Sequence, residues 1–236
     1  MSSPIRRSRF LALSVVLLGL GACQTSPPPQ GPVAAPPPTA EPGKPAPGSH
    51  ELHVVSDQSL LQIFVHRGGK MARVGHNHVI AAHALTGSVY VAKDLPETRF
   101  DIAFNVADLT IDEPELRAKA GPDFPPGVPQ SARDGTRKNM LSAGLLDGEQ
   151  FPQIRLRTTD VVPSADGYDV GVEVTIKGQA HVVRVPMHVE QGGDSVHATG
   201  EFPLRQSELG LTPFTVMMGA LAVLDDMQVS FDVVAR

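Results

Sequence analysis

The sequence has very few of the side chains that build carbohydrate platforms, disulfides and thiolate metal sites. Trp is absent, only two of the 236 residues are Tyr, and the single cysteine is Cys23. The lack of Trp and Tyr argues against a carbohydrate site built on stacked aromatic rings. With one cysteine, the chain cannot form an internal disulfide, and the part after Cys23 can hold neither a cysteine-type zinc site nor a cysteine nucleophile.

Motifs of common enzymes are also missing. The sequence contains no P-loop, no dinucleotide-binding glycine fingerprint and no serine in a G-x-S-x-G elbow. The adjacent Asp225 and Asp226 precede an alternating apolar run, which is typical of a turn or a solvated strand edge rather than a catalytic acid pair. We therefore expect a protein that is not an enzyme.

The charge balance argues against nucleic-acid binding. Residues 50–236 contain sixteen Lys and Arg against twenty-four Asp and Glu, a formal net charge of −8. An acidic domain repels the phosphates that supply most of the affinity for nucleic acid.

The N-terminus predicts an export signal that ends at Cys23. Arg6, Arg7 and Arg9 form a positive region, and the apolar run FLALSVVLLGL at 10–20 is too short to span a bilayer as a stable helix. The following Leu-Gly-Ala-Cys resembles a bacterial lipobox, in which the cysteine is lipidated and becomes the first residue of the mature chain. Residues 1–22 are thus predicted to be a lipoprotein signal peptide and Cys23 the lipidation site.

Residues 23–49 are predicted to form a Pro-rich tether. Two runs of three prolines and four further prolines leave too few backbone donors for helix or sheet. An extended, semi-rigid spacer is the expected conformation.

Period-two alternation of apolar residues dominates the domain at 50–236 and indicates β-strands. Strands are predicted at 52–55, 60–66, 85–92, 98–106, 154–162, 167–177, 181–190, 195–204 and 223–235. Two stretches, 112–120 and 131–146, are predicted to be helical, with a Pro- and Gly-rich loop at 121–129 between them. Short turns such as Asp166-Gly167 link the strands, so an antiparallel barrel or sandwich is expected.

Several stretches, read in order, resemble the YceI-like family of exported, lipocalin-like proteins. They are IFVH at 63–66, GHNH at 75–78, RKNML at 137–141, FPQI at 151–154, VTIKG at 174–178, GEF at 200–202, QSELGL at 206–211 and PF at 213–214. The resemblance covers nearly the whole domain. It implies an eight-stranded antiparallel barrel with a helical insertion that encloses an isoprenoid or another amphiphilic lipid, with no further cofactor.

The alternation and the resemblance together predict which side chains line a lipid cavity. They are Phe64, Phe100, Ile102, Phe104, Val172, Val174, Ile176 and Phe214. Alternation alone does not separate a hollow barrel from one filled by its own side chains.

His76 and His78 are the most distinctive polar pair. Two residues apart on a strand, they share a face and are candidates for the start of a metal site, with a third ligand from His66, His83, His181, His188 or His197. The alternative is that both histidines only hydrogen-bond their surroundings near a strand end, and on this basis no metal is expected.

Three hypotheses follow. The first is a membrane-anchored periplasmic carrier that holds an amphiphilic lipid and is attached through Cys23, facing the periplasm from the outer membrane. The second is a metal- or haem-linked redox or stress protein that uses His76 and His78. The third is a structural envelope lipoprotein with a solid barrel. The oligomeric state is not predicted.

Overall fold

A computed structural model describes residues 41–236. The predicted signal peptide, Cys23 and most of the predicted tether lie outside the described residues. Within the described residues, no helix has both the length and the apolar composition needed to cross a membrane.

The described residues form one antiparallel β-sheet with two α-helices. The strands are β1 (His50–His53), β2 (Leu60–Gly68), β3 (His78–Ala82), β4 (Thr86–Val91), β5 (Arg99–Asn105), β6 (Thr110–Ile111), β7 (Gln153–Ser164), β8 (Gly167–Ile176), β9 (Gln179–Gly192), β10 (Ser195–Arg205), β11 (Thr215–Val216) and β12 (Leu221–Ala235).

Hydrogen bonding orders the strands β1-β4-β5-β7-β8-β9-β10-β12-β2-β3-β6, with β11 paired to β12. The sheet curls, and the chain after β1 meets the end of β12. There His53 and Arg236 exchange two backbone hydrogen bonds, of 2.7 and 2.9 Å. Val54 and Ala235 form the bridge beside them. This arrangement is a lipocalin-like barrel.

The predicted fold class is confirmed, although the strands are more numerous than eight. Eight strands in residues 41–236 have six or more residues, and the short β1, β3, β6 and β11 bring the total to twelve. The sequence analysis did not separate β3 from its surroundings because all five of its residues are buried. A strand buried on both faces shows no alternation of apolar and polar residues.

Both helices lie in the connection between β6 and β7, as the resemblance implied. Helix α1 (Pro114–Lys119) starts with Pro114, which is favourable in a first turn because it needs no hydrogen-bond acceptor there. Helix α2 (Gln130–Leu141) is five residues shorter at its C-terminus than predicted, because Ser142 adopts an extended conformation.

The strand connections define two ends of the barrel. At the helix end, β2 finishes at Gly68, β12 begins at Leu221, and the helical connection returns to β7. At the hairpin end, the turns at 165–166 and 193–194 join β7 to β8 and β9 to β10. Consecutive antiparallel strands place these two sets of connections at opposite ends.

The described end of the predicted tether contacts the barrel. Residues 41–49 contain two turns instead of a fully extended chain. Gly43 is buried, and its N–H donates a 2.9 Å hydrogen bond to the carbonyl of Thr158 on β7. The chain therefore meets the barrel wall before the first strand begins.

Candidate functional site: the barrel cavity

The barrel is hollow. Its interior encloses a cavity of about 540 Å³, within the range of small-molecule sites. Most side chains around this cavity are Val, Leu, Ile, Phe and Met from the inward faces of the long strands. An interior filled by its own side chains is therefore not the arrangement of this barrel.

Seven of the eight predicted residues line the cavity. Phe100, Ile102 and Phe104 come from β5, which alternates as predicted. Strand β8 supplies Val172, Val174 and Ile176, and the loop after β10 supplies Phe214.

The prediction for Phe64 was wrong. Its neighbours Ile63 and Val65 line the cavity, so Phe64 lies on the outer face of β2. There the rings of Phe64 and His66 pack edge-on against Phe124, with centroids 5.6 and 5.2 Å away. Because Phe124 of the Pro-rich loop covers the outer face of β2, that face also carries apolar residues. The sequence pattern of β2 therefore does not indicate which face is inward.

Helix α2 closes part of the helix end. Its cavity-facing residues are Ala132, Gly135, Thr136, Asn139 and Met140, which recur at helical spacing. The sequence analysis predicted this helix but did not identify its inward residues, because small and polar side chains on one face are not an apolar stripe.

The cavity has a polar corner beneath α2. The Nε2 atom of His78 lies 3.2 Å from the hydroxyl of Thr136, and Asn139 follows one helical turn later. His76 also lines the cavity, with its ring centroid 6.1 Å from that of His78. A group of hydrogen-bonding side chains therefore lies beneath α2, and Arg67, Thr98, Thr158, Tyr168 and Gln206 add further polar groups to a mostly apolar cavity wall.

A buried ionic network holds His78 in place. Asp112 accepts a 2.6 Å hydrogen bond from Nδ1 of His78, a 3.0 Å bond from the N–H of Val79 and a 2.5 Å bond from Arg117. Arg117 also donates to the backbone carbonyls of Asn77 and Pro125. Because each of these groups is buried and paired, the network ties the start of β3 to α1 and to the Pro-rich loop.

One carboxyl group in this network, Asp112, and one imidazole beside it, His76, have shifted pKa values. Burial acts to raise the pKa of Asp112, but the hydrogen bonds from His78 and Val79 and the nearby Arg117 outweigh it and hold the pKa below its usual range. Desolvation, followed by the charges of His78 and Arg117, lowers the pKa of His76. The Asp112 carboxylate is thus stabilised and His76 favours its neutral form.

The structure does not assemble the predicted metal-ligand candidates. Both nitrogens of His78 already face partners, Asp112 and Thr136. His66 lies against Phe124 on the outer face, and His83 pairs with Glu113. No group of three potential ligands from His, Cys, Asp and Glu occurs within residues 41–236.

The basic residues of α2 do not reach into the cavity. Arg133 donates to the carbonyl of Asp112 at 3.4 Å, and Arg137 donates to the carbonyl of Leu109 at 2.6 Å. They attach α2 to the preceding segment, so the polar side chains that α2 contributes to the cavity, Thr136 and Asn139, are uncharged.

A curled antiparallel sheet around an apolar chamber defines a lipocalin-like fold as the class. The YceI-like domain model matches residues 64–235, so the chain belongs to the YceI-like family. No curated protein sequence matches it.

Two solved structures share the fold at low identity. BcnA of Burkholderia cenocepacia superimposes with a TM-score of 0.57 at 17% identity, covering 78% of this chain and 99% of that chain. A polyisoprenoid binding domain from Saccharophagus degradans, implicated in plant cell wall breakdown, gives a TM-score of 0.51 at 11% identity and covers 78% of this chain and 97% of that chain.

Proposed function

We propose that this protein is a membrane-anchored periplasmic carrier that holds one isoprenoid-like or other amphiphilic lipid inside its barrel. The observation that carries the proposal is the chamber of about 540 Å³ whose wall is almost wholly aliphatic and aromatic. Burial of an apolar chain there contributes roughly 25 cal/mol per Å² before the costs of ordering are subtracted.

The polar corner gives the ligand an orientation. Thr136, Asn139 and the two histidines present hydrogen-bonding groups beneath α2, whereas most of the cavity wall is apolar. A molecule with a small polar head and a long apolar tail matches this distribution, with its head beneath α2. Arg133 and Arg137 bond backbone carbonyls instead of facing the cavity, and the charged residue that lines it is Arg67, which donates a hydrogen bond to the carbonyl of Gly75.

The choice of an isoprenoid-like lipid is supported by comparison. The Saccharophagus degradans domain, which shares this fold, is a polyisoprenoid binding domain.

Attachment to the membrane is proposed through Cys23, on the sequence Leu-Gly-Ala-Cys that follows the apolar run. Acyl chains on this cysteine, followed by a Pro-rich segment, would keep the barrel close to a supply of lipid. The residue after the cysteine is Gln24. In lipoproteins of enterobacterial type an Asp at this position favours retention in the inner membrane, and its absence here favours the outer membrane of a diderm host.

The function is tested by native mass spectrometry of the full chain, purified from a diderm bacterium in mild detergent, followed by organic extraction. We expect a non-covalent lipid at one copy per protein, together with the covalent mass of the acyl chains. A protein that carries no extractable lipid, and gains none when incubated with isoprenoid alcohols or fatty acids, contradicts the carrier function.

A further inference from the structure

A cluster of apolar side chains projects into solvent at the helix end of the barrel. It consists of Met71 and Val74 from the loop after β2 and Met217 and Met218 from the loop between β11 and β12, and is called the rim patch below. Val74 is 65% exposed, Met217 64% and Met218 completely exposed. Exposed apolar side chains that lie together mark interaction surfaces in soluble domains.

The two loops of the rim patch are held against each other. The N–H of Met71 donates a 2.7 Å hydrogen bond to the carbonyl of Ala220. Gly69 has a φ of +85°, and a Cβ on it would lie 2.5 Å from the Ala220 carbonyl oxygen, so only glycine permits this approach. The backbones of the two loops are therefore joined, and the rim patch lies on one end of the barrel.

Two methionines of the rim patch have an unfavourable backbone conformation. Met217 and Met218 have φ values of +52° and +54°, the left-handed conformation that side chains other than Gly, Asn and Asp rarely adopt. Met218 makes no compensating burial, since its side chain is fully exposed. Strain of this kind points to a role for the exposed side chains outside the fold itself.

The two loops that form the rim patch carry basic residues and no acidic residue. Residues 67–77 contain Arg67, Lys70 and Arg73 and no acidic residue, and residues 211–224 contain no charged residue. Lys70 and Arg73 are exposed, and neither forms a salt bridge with another residue of the described 41–236 segment. A domain of net charge −8 thus has a local surface of basic and apolar side chains.

This surface is continuous with the cavity. Val74 and the adjacent Gly75 and His76 line the cavity, as does Leu221 immediately after the second loop. An amphiphilic molecule that enters between these loops would pass from the rim patch to the interior without crossing open water.

We propose that the rim patch docks onto a lipid bilayer that contains anionic phospholipids and places the cavity entrance in the headgroup region. The methionines and Val74 would enter the interfacial layer, since flexible thioether side chains adapt to irregular apolar surroundings. Lys70 and Arg73 would meet the lipid phosphates, and the acidic remainder of the domain would be repelled, which sets the orientation. Docking itself stands on the surface alone, whereas its role in lipid transfer rests on the proposed carrier function.

The absence of Trp allows a local test on the full chain. In M218W the only Trp reports from the rim patch, and in V162W it reports from an exposed position beside the turn at the hairpin end. Each variant is reconstituted into vesicles of phosphatidylcholine and phosphatidylglycerol that contain a brominated phospholipid as quencher. We expect a blue shift and quenching for Trp at 218 and neither for Trp at 162.

The charge dependence is tested in the same vesicles. Adding K70E and R73E to M218W should lower the docked fraction by about tenfold or more, because each basic residue near an anionic surface contributes about a factor of five. Removing phosphatidylglycerol should have a similar effect.

Three results overturn the docking proposal. Trp at 218 that stays unquenched leaves a protein partner as the occupant of the rim patch. Equal quenching at 218 and 162 indicates unspecific adsorption. Quenching unaffected by the charge reversal removes the anionic membrane as the partner.

The outcome is separable from that of the carrier function. Lipid recovered from the barrel of a protein whose Trp at 218 is unquenched contradicts docking alone. Quenching at 218 without any recovered lipid contradicts the carrier function and leaves docking in place.

Discussion

Nδ1 of His78 and a carboxylate oxygen of Asp112 lie 2.6 Å apart inside the fold, 34 positions apart in the sequence. Asp112 is fully buried and His78 nearly so. Through its other ring nitrogen, His78 faces Thr136 at the cavity. This pair therefore connects the polar corner of the ligand chamber to the ionic network that fixes α1 and the Pro-rich loop.

Removing the carboxylate should destabilise the protein strongly. D112A leaves the imidazole of His78 and the guanidinium of Arg117 buried without their partner, and loss of one member of a buried ionic pair costs about 3–5 kcal/mol. D112N should cost less, because Asn tolerates the left-handed φ of +56° and keeps one acceptor. The free energy of unfolding in urea measures both.

E113Q is the matched control for that change. Glu113 is the next residue and pairs with His83, which is about half exposed. We expect a loss below about 1 kcal/mol for E113Q, as for other exposed ion pairs. A D112A protein as stable as E113Q would show that the buried network does not support the fold.

Stability should also fall in acid in a way that depends on Asp112. Its pKa in the folded protein lies below the unfolded value of 3.8, so the folded state binds fewer protons in this range. The stabilisation is complete above pH 3.8 and is lost as the pH falls toward the folded pKa. Unfolding free energies measured from pH 6 to pH 2 should show a shallower acid slope in D112N than in wild type, and equal slopes would contradict the assignment.

A glycine in the middle of α2 offers a stabilising substitution. A Cβ on Gly135 would meet no atom within 4 Å, and helix interiors favour Ala over Gly by about 0.5–1 kcal/mol. We expect G135A to raise the melting temperature. G87A is the contrast, because its Cβ would lie 2.1 Å from the Asp101 carbonyl oxygen at a φ of +130°. Destabilisation by G135A would mean that α2 packs so tightly over the cavity that a methyl group at this position has no room.

Substitution of the cysteine tests the anchor. C23S should remove the covalent acyl mass, because the chain has one cysteine and therefore one site for this lipidation. The protein should then either move from the membrane fraction to the soluble fraction or keep its uncleaved signal peptide. Intact-mass analysis and membrane fractionation of the full chain provide the measurement. A C23S protein that retains acyl chains would place the modification elsewhere.

The sequence predicted the fold and much of the cavity wall because apolar and polar residues alternate in strands that have one face toward the cavity and the other toward solvent. Strands β5 and β8 show this alternation. Phe100, Ile102 and Phe104 of β5 and Val172, Val174 and Ile176 of β8 line the cavity as predicted. The same reasoning assigned Phe64 to the wrong face, since Phe124 covers the outer side of β2 with apolar surface.

The sequence identified only some of the polar residues of the site. His76 and His78 stood out as a pair, but Asp112 and Thr136 contact His78 across 34 and 58 positions, and Arg117 joins the network through Asp112. No local pattern encodes such pairing. Asp112 precedes a helix that begins with Pro, so its sequence context indicates a helix start and not a partner for β3.

The central claim is that the barrel holds a lipid, and adjacent residues of β9 test it most directly. Val183 lines the cavity and is 7% exposed, whereas Val182 faces outward and is 64% exposed. V183F should reduce the lipid recovered from the full chain by about tenfold, corresponding to about 1.4 kcal/mol of lost affinity, while V182F should carry as much lipid as wild type. Because the added ring enters empty volume, V183F should unfold with nearly the wild-type free energy. Two results would contradict the account. The first is equal lipid in V183F and V182F. The second is a loss of about 1–3 kcal/mol in the unfolding free energy of V183F, as in an overpacked core, together with no lipid in any form of the protein.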